Sequence, residues 1–393
     1  MVSGNLAPGV YVQEVPSGSH MIRGVSTSTA GFVGVVPNGQ HIGEAVPLNN
    51  WTQFVTLFAA EGSESTPLVK GVYSYFLNGG QRCYVSPVAK NAAISGDDKK
   101  RSGLKAFESV DEIAIVAAPG YTDGDSCEAL LSHCESMGDR FCIIDAPQGL
   151  FDIEALKEVA LTETGDGEKK RKGVRPRNST YGAYYFPWFL GRDPLDTNIK
   201  HTPFPPSGAL AGICARVDAT RGVHKAPANE AIRGALGLEY QVTRSEQAQL
   251  NRLGVNCIRY FPQSGIRVWG ARTLAEPGDP MTYINVRRLF NMIKESIEEG
   301  TRWCVFEPND YTLWKSLERD ISAFLMVLWR GGALLGATPE QAFFVKCDDE
   351  TNTPETIELG QVITEIGIAP VKPAEFIIFK IAQKAIGEAE AGG

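Results

Sequence analysis

The sequence predicts an α/β and α+β protein, with a doubly wound mixed sheet in the middle of the chain, an α+β domain towards the C-terminus and an extended β-arm at each end. Short apolar strands alternate with helical stretches from residue 30 to residue 160, which is typical of a doubly wound sheet. Beyond about residue 250, two long amphipathic helices lie between pairs of strands. An apolar strand flanked by prolines lies near each chain end.

The N-terminal arm is predicted as a strand at 9–15, GVYVQEV, between Pro8 and Pro16. The Ser/Gly-rich stretch 17–20 follows it and separates the strand from the body of the fold. The apolar side chains of this strand are Val10, Tyr11, Val12 and Val15.

The middle of the chain supplies the predicted sheet and the helices that cover it. Strands are predicted at 30–40, 82–88, 113–119, 141–147 and 181–189. Helices are predicted at 50–59, 68–80, 102–110, 123–138, 152–161 and 208–222. The polar segment 162–178 is predicted to be a solvated loop, and 226–240 to be irregular.

The predicted C-terminal domain is a separate α+β unit. Its strands are predicted at 256–261, 266–271, 342–347 and 357–369, and its helices at 282–299 and 309–330. Asn309 is the predicted N-cap of the second helix, whose apolar side chains form one stripe. Its polar face carries Lys315, Glu318 and Arg319.

The C-terminal arm is predicted as a strand at 375–384, EFIIFKIAQK, after the stiff connector APVKP at 369–373. Alternation places Ile377, Phe379 and Ile381 on one face and Phe376, Ile378 and Lys380 on the other. Since both faces require burial, this strand is not expected to stay an exposed edge. An apolar strand at each end of the chain predicts a subunit that links neighbours.

Composition and charge exclude several classes of protein. A net charge of −8 over 393 residues argues against a general nucleic-acid binder. The eight cysteines form no C-x-x-C pair and are predicted to be buried free thiols. No secretory signal peptide is expected, and the apolar run 321–337 is broken by Arg330 and two glycines, which argues against membrane insertion.

No catalytic or cofactor-binding motif is recognisable, so neither an enzyme nor a cofactor is predicted. Phosphate-binding, nucleophile-elbow, H-E-x-x-H and G-x-G-x-x-G patterns are all missing from the sequence. Neighbouring His133 and Cys134 lack further ligands at zinc spacing, so no metal site is expected. The basic cluster Lys169, Lys170, Arg171, Lys172 and Arg175 is read as part of the solvated loop, with binding of an acidic surface or nucleic acid as the alternative.

The C-terminal half resembles the C-terminal domain of contractile tail sheath proteins. The resemblance is carried by LGVNCIRYFPQSGIRVWGARTL (253–274), YINVRRLFNMIKESIEEGTRWCVFEPND (283–310), GALLGATPEQAFFVKCDDETN (332–352) and IGIAPVKPAEFIIFKI (366–381). The block at 8–34 is similar to the start of the same family. Members belong to myophage tails, R-type bacteriocins and extracellular contractile injection systems.

The resemblance implies a structural subunit that polymerises with itself as stacked hexameric rings around an inner tube. It implies that the terminal arms pair with strands of neighbouring subunits while the bodies rotate, so that the sheath contracts and drives the tube through a target envelope. The implied partners are the tube, baseplate and terminator or cap proteins, without direct contact with nucleic acid. The implied setting is assembly in the bacterial cytoplasm, as part of a virion tail or a released particle.

The same resemblance implies roles for particular segments. The apolar residues of the two terminal strands are expected to make the inter-subunit contacts, and Lys315, Glu318 and Arg319 to face the tube. The expected arm hinges are Pro16, Gly18, Pro370 and Pro373. The expected divisions are an N-terminal arm at 1–25, an outer domain at 26–250, a tube-facing domain at 251–369 and a C-terminal arm at 370–393.

Three questions stay open at the level of sequence. A non-contracting baseplate or scaffold protein with related arms is one alternative. An enzyme of the Rossmann type, with catalytic groups at the carboxyl ends of the strands, is another. The sequence does not distinguish a phage tail from a bacteriocin or an extracellular injection system.

Overall fold

A computed structural model describes residues 20–59, 62–97, 99–160, 173–196 and 198–377. The N-terminal strand predicted at 9–15 and the hinges predicted at Pro16 and Gly18 lie outside the described residues. So do most of the basic cluster at 169–175 and the part of the C-terminal strand from Ile378 onward.

A large mixed sheet is the centre of the fold. In the described residues its strands are β1 Ala30–Gly34, β2 Val46–Leu48, β3 Cys83–Pro87, β4 Ile115–Ala117, β5 Phe141–Asp145, β6 Gly182–Phe186, β9 Glu230–Ala231, β11 Val255–Phe261 and β12 Gly265–Val268. Their spatial order is β2-β3-β1-β4-β5-β6-β11-β12-β9. The six strands from β3 to β11 run parallel, and antiparallel strands extend both edges.

The helices and the remaining strands surround this sheet. The helices are α1 Trp51–Phe58, α2 Pro67–Asn78, α3 Gly124–Met137, α4 Pro206–Arg221, α5 Arg244–Arg252, α6 Ile284–Gly300, α7 Tyr311–Arg330, α8 Pro339–Ala342 and α9 Pro354–Glu358. The smaller sheets contain β7 Phe189–Gly191, β8 Thr202–Phe204 and β10 Gly237–Leu238 in one, and β13 Phe343–Lys346 and β14 Glu365–Ile368 in the other.

Helices cover both faces of the central sheet, which confirms the predicted doubly wound arrangement. Along the strands, alternate residues such as Phe32 and Val33 are fully buried on opposite faces. Helices α1, α2 and α4 cover one face, and α3 and α5 cover the other. Helix α4 packs closely on α2 because Gly208 has no side chain. A Cβ atom at this position would lie 2.1 Å from the carbonyl oxygen of Gly71.

Several predicted elements are shorter than the sequence pattern indicates. The helix predicted at 152–161 is only a 3-10 turn at Ile153–Leu156, and the stretch predicted at 102–110 is a 3-10 helix at Gly103–Ser109. The strand predicted at 357–369 is confined to β14, after the short helix α9. Pro354 occupies the first turn of α9, where its missing N–H costs no hydrogen bond.

The aromatic strand predicted at 181–189 divides at a proline. β6 ends at Phe186, and Pro187 follows it through a cis peptide bond. Phe189 then begins β7, which pairs with β8 and β10 in the separate three-stranded sheet. Proline cannot donate to a strand ladder, so one apolar run contributes to two sheets. The region 226–240, predicted to be irregular, supplies β9 and β10.

The strands expected to open a separate C-terminal unit belong to the large sheet. β11 pairs parallel with β6 and antiparallel with β12, and its residues Val255 to Ile258 are buried. Beyond them, α6, α7 and the β13–β14 sheet form a second core around residues such as Leu289 and Phe324. Where the four predicted domains divide stays a prediction.

Helix α7 confirms the predicted amphipathic stripe and corrects its N-cap. Leu313, Leu317 and Ile321 are buried on one side of the helix. Asp310, not Asn309, caps the helix, since its Oδ1 accepts from the Leu313 N–H at 2.9 Å. Asn309 instead accepts a hydrogen bond from the Trp314 indole at 2.8 Å.

A buried ion pair joins α6 to α4. The Arg288 guanidinium donates to both carboxylate oxygens of Asp218, at 3.0 and 2.6 Å, and to the carbonyl oxygen of Thr27 at 2.9 Å. The two charged side chains are only 3% and 6% exposed. This pair therefore links α6 to α4, which covers the central sheet, and to the chain near residue 27.

The cysteines agree with the prediction of free thiols. All eight are free, and every one except the half-buried Cys304 is buried. Among the described residues, no helix combines the length and the apolar character that crossing a membrane would require.

Candidate assembly surfaces

The β13–β14 sheet is the first candidate surface, because it is a sheet of two strands in the described part of the chain. The strands pair antiparallel, with Phe343 opposite Ile368 and Lys346 opposite Glu365. One face packs against α7, while the Phe344 ring on the other face is 58% exposed. Unpaired strand edges are templates for a further strand, so this sheet can accept one from another chain.

The chain continues from β14 into residues 369–375, which we call the C-terminal tether. Ala369 donates its N–H to the Ala342 carbonyl at 2.8 Å and accepts from the Leu335 N–H at 2.7 Å. Val371 donates to the Ala333 carbonyl at 3.2 Å. These backbone bonds fasten the first half of the tether to the subunit's own body.

The two prolines predicted as C-terminal hinges lie inside this tether. Pro370 forms an antiparallel bridge with Leu334. Pro373 lies between Val371 and Glu375, each of which is hydrogen-bonded to the body. Their role as hinges stays a prediction.

The carboxylate of Glu375 closes the tether with side chains from three parts of the fold. Arg272, just after β12, donates from Nε at 3.0 Å to Oε1 and from Nη2 at 2.6 Å to Oε2. Asn251 on α5 donates to Oε1 at 2.6 Å. The Tyr283 hydroxyl at the start of α6 donates to Oε2 at 3.1 Å. We call this set of contacts the Glu375 clamp.

The clamp keeps Glu375 ionised. Burial raises the pKa of Glu375, but the hydrogen bonds from Arg272, Asn251 and Tyr283 and the positive charge of Arg272 outweigh burial, so the net pKa lies below the usual glutamate value. A carboxyl group whose folded pKa is depressed contributes stability above its unfolded pKa and loses that stability as the pH falls through the folded value. Protonation of Glu375 as the pH falls therefore removes part of the stability that the clamp contributes.

The two described residues after the clamp are exposed. Phe376 and Ile377, the first apolar residues of the predicted C-terminal strand, are 72% and 73% exposed. The other predicted contact residues of this strand, Ile378, Phe379 and Ile381, lie outside the described residues. The described part of the predicted strand therefore has large apolar side chains exposed to solvent.

The predicted tube-facing residues all lie on the outer side of α7. Lys315 and Glu318 form an ion pair with each other, and their side chains are 42% and 33% exposed. Arg319 is 51% exposed and donates to Asp320 at 3.0 Å. The structure thus places a polar face there, as the sequence pattern predicts, and the tube contact itself stays a prediction.

An apolar groove beside α7 was not foreseen from the sequence. It has a volume of about 810 Å³ and lies between α7 and residues 20–25, where the described part of the N-terminal region begins. Met21 and Val327 on its walls are 85% and 67% exposed. The Glu375 clamp was also missed, since a single glutamate before an apolar run carries no signal of its partners.

α/β proteins commonly bind ligands at the carboxyl edge of their parallel strands. In this protein, hydrogen bonds between the protein's own groups occupy that edge at the end of β5. Asp145 at the end of β5 accepts from the Ser207 N–H and hydroxyl, both at 2.7 Å, and from the Gly120 N–H at 3.2 Å. Burial raises the pKa of Asp145 to about 6, and these hydrogen bonds oppose that rise. The carboxylate binds the first turn of α4, a structural use of the helix N-terminus. Within the described residues, no group of three or more His, Cys, Asp or Glu side chains is placed to hold a metal.

Two family models match the chain in succession. One describes the phage tail sheath protein central domain and matches residues 92–274. The other describes the phage tail sheath C-terminal domain and matches residues 276–384.

Tail sheath proteins of phages are similar in sequence. The tail sheath protein of Escherichia phage P2 is 24% identical over 93% of this chain and 93% of its own length. That of Vibrio phage KVP40 is 28% identical, over 46% of this chain and 26% of its own length. The chain therefore spans about a quarter of the KVP40 protein.

Solved structures of contractile injection systems are similar in fold and sequence. A chain of the PVC sheath complex in the contracted state, from an extracellular contractile injection system, has a TM-score of 0.77 and 31% identity, with 98% of this chain and 99% of that chain covered. A chain of the anti-feeding prophage helical sheath in the contracted state has a TM-score of 0.73 and 30% identity, with 97% and 100% covered. A chain of the anti-feeding prophage baseplate structure has a TM-score of 0.73 and 29% identity, with 97% and 100% covered.

Proposed function

The chain belongs to the phage tail sheath family, whose members are structural proteins and not enzymes, and we propose that it assembles as stacked hexameric rings around an inner tube. It is a contractile tail sheath subunit of a phage tail or a phage-tail-like injection particle. In the proposal, rotation of the subunits contracts the sheath and drives the tube through a target envelope. The observation that carries it is the 31% identity to a contracted sheath chain over 98% of this chain.

The terminal arms join the subunits in this proposal. Each arm adds a strand to a sheet of a neighbouring subunit, and the open edges of β13–β14 are the proposed acceptor. The C-terminal arm brings Phe376, Ile377, Ile378, Phe379 and Ile381. Their burial contributes about 7–15 kcal/mol before ordering costs, which is enough to hold a lattice together while its subunits turn.

The N-terminal arm is proposed to make the corresponding contact at the other end of the chain, through Val10, Tyr11, Val12 and Val15, with its hinge at Pro16 and Gly18. The described chain begins at His20, on the rim of the apolar groove beside α7. An arm that starts there leaves the body close to the β13–β14 sheet, which packs on the same helix.

The work of contraction comes from packing and not from a nucleotide. In the proposed cycle, assembly on a baseplate and around the tube traps an extended lattice in which the bodies touch less than they can. Triggering lets each body rotate and bury more surface, while the arms keep neighbouring subunits joined. The solved relatives include a chain from a baseplate structure as well as one from a helical sheath structure, which supports the proposed association with a baseplate.

Imaging tests the proposed function. Particles isolated by sedimentation from cells that produce the chain with its neighbouring genes should appear in negative stain as long striated cylinders, and triggering should yield shorter and wider ones. Cylinders of fixed length under every trigger would favour the non-contracting scaffold, and small discrete particles would reject the sheath altogether.

Charge reversal tests the proposed tube contact. The double variant Lys315→Glu with Arg319→Glu should reduce the number of extended sheaths around tubes more than the number of contracted sheaths, because only the extended form holds the tube closely. Each surface pair is worth about 0–1 kcal/mol, but the contact repeats in every ring. Counting both forms by electron microscopy measures the difference.

The matched control is Lys105→Glu. Lys105 also forms an (i, i+3) ion pair, with Glu108, and is 39% exposed, but it lies on the 3-10 helix at Gly103–Ser109 and not on α7. This variant should leave both forms at wild-type numbers. An equal loss of extended and contracted sheaths in the α7 variant would remove this face from the tube contact.

A further inference from the structure

We infer that the C-terminal tether is part of the rigid body of the subunit, and that the arm bends only beyond Glu375, whose clamp fixes the point at which the arm departs. The inference rests on the proposed function and refines it. It moves the C-terminal hinge from Pro370 and Pro373 to the residues that begin with Phe376.

The first support is the backbone of the tether. Hydrogen bonds join Ala369 to both Leu335 and Ala342, so this part of the tether is paired with the body and is not a free linker. The Asn285 side chain on α6 donates to the Val371 carbonyl at 3.1 Å, which adds a side-chain bond to the backbone pairing. Bending at Pro370 would break several of these bonds together.

The second support is the chemistry of the clamp. Arg272 and Glu375 meet as a two-bond guanidinium–carboxylate pair, the strongest and most directional ion pair that side chains form. Each side chain of the pair is only 20% exposed. Asn251 on α5 adds a hydrogen bond to Oε1, and Tyr283 at the start of α6 adds one to Oε2. Each carboxylate oxygen therefore has a second partner besides Arg272.

The third support is the abrupt change after the clamp. Glu375 is held on both of its carboxylate oxygens, whereas the next two side chains are more than 70% exposed. Pro370 and Pro373 lie on the held side of this boundary. Because a proline ring fixes φ, the two prolines stiffen the tether.

The inference has a consequence for contraction. If the hinge lies beyond Glu375, the base of the arm turns with the body and the clamp is intact in the extended and the contracted lattice alike. If the hinge lay at Pro370 or Pro373, Glu375 would have to leave Arg272 during the change. The two cases predict different effects of removing the carboxylate charge on the ratio of extended to contracted forms.

The test is the variant Glu375→Gln in complete particles. We expect about a tenfold fall in the number of sheaths, because charge-assisted hydrogen bonds that hold the arm base are lost, with an unchanged ratio of extended to contracted forms. Glu375→Asp, which keeps the charge, should recover part of the loss. The control Lys372→Gln removes an exposed charge from the same tether and should match the wild type. A Glu375→Gln variant that forms sheaths at wild-type yield but contracts without a trigger would overturn the inference.

A disulfide lock gives a second measurement that does not depend on losing the clamp. Leu334 and Pro370 are opposite each other in an antiparallel bridge whose hydrogen bonds lie on either side, a spacing that suits a disulfide. Oxidised Leu334→Cys/Pro370→Cys particles should contract as fully as reduced ones. Contraction only after reduction would overturn the inference. The arm proposal has its own separate test, removal of the arm after Glu375.

Discussion

Truncation after Glu375, which removes residues 376–393, is expected to abolish sheath formation and to leave a folded subunit. The loss should be complete, because the apolar strand that joins neighbouring subunits is gone and its burial is worth about 7–15 kcal/mol at every junction. The body should persist, since the clamp and the backbone bonds of the tether all lie at or before Glu375. Electron microscopy measures the sheaths, and the thermal unfolding transition measures the body.

A milder pair of variants controls for the truncation. Replacing Phe376 and Ile378 with serine removes apolar side chains from one face of the predicted strand and should greatly reduce assembly. Replacing Lys380, on the same predicted face, with serine should change little. Full-length cylinders made by the truncated chain would show that the arm does not link the subunits.

The doubly wound sheet could be predicted because its central strands are short, apolar and buried on both faces. Phe141–Asp145 is buried at every residue, and such strands alternate with helices that the sequence marks with caps. Helix α3, for example, begins after Asp123, whose side chain accepts from Ser126, and ends at Gly138 in the left-handed conformation. Local signals of this kind need no knowledge of distant residues.

The elements that were mispredicted depend on distant partners. β11 continues the large sheet because it finds β6, about seventy residues earlier in the chain, as a parallel neighbour, and no local pattern reports that pairing. β9 and β10 are two residues each, too short for any periodicity to appear. Pro187 itself indicated that the strand predicted at 181–189 could end there. The continuous run of apolar residues around it favoured a single strand instead.

The candidate surfaces show the same limit. The outer face of α7 could be predicted, since helical periodicity places Lys315, Glu318 and Arg319 together. The Glu375 clamp could not, because its partners Asn251, Arg272 and Tyr283 are 92 to 124 residues away. Arg288 was equally hidden, because the adjacent Arg287 and Arg288 look alike in sequence although Arg288 pairs with buried Asp218.

Arg288→Met is expected to destabilise the subunit by about 3–5 kcal/mol, since it leaves the Asp218 carboxylate buried without its counter-ion. Burial lowers the pKa of Arg288, but Asp218 beside it outweighs burial and keeps the guanidinium charged. The variant also loses the bond to the Thr27 carbonyl, so α6, α4 and the chain near residue 27 would separate more easily. Urea unfolding of the soluble subunit measures the change.

Two further variants separate the charge from the packing around it. In Arg288→Met/Asp218→Leu no buried charge is left unpaired, so stability should return towards that of the wild type even though the ion pair is absent. Arg302→Met breaks an exposed ion pair between Arg302 and Asp111, which are 62% and 69% exposed. It should lower the free energy of unfolding by less than about 1 kcal/mol. If the double variant is as unstable as Arg288→Met alone, the cost lies in packing and not in the unpaired Asp218.

A rigid body is needed to pass rotation from one arm to the other, so Arg288→Met should also form fewer sheaths, and the double variant should recover them.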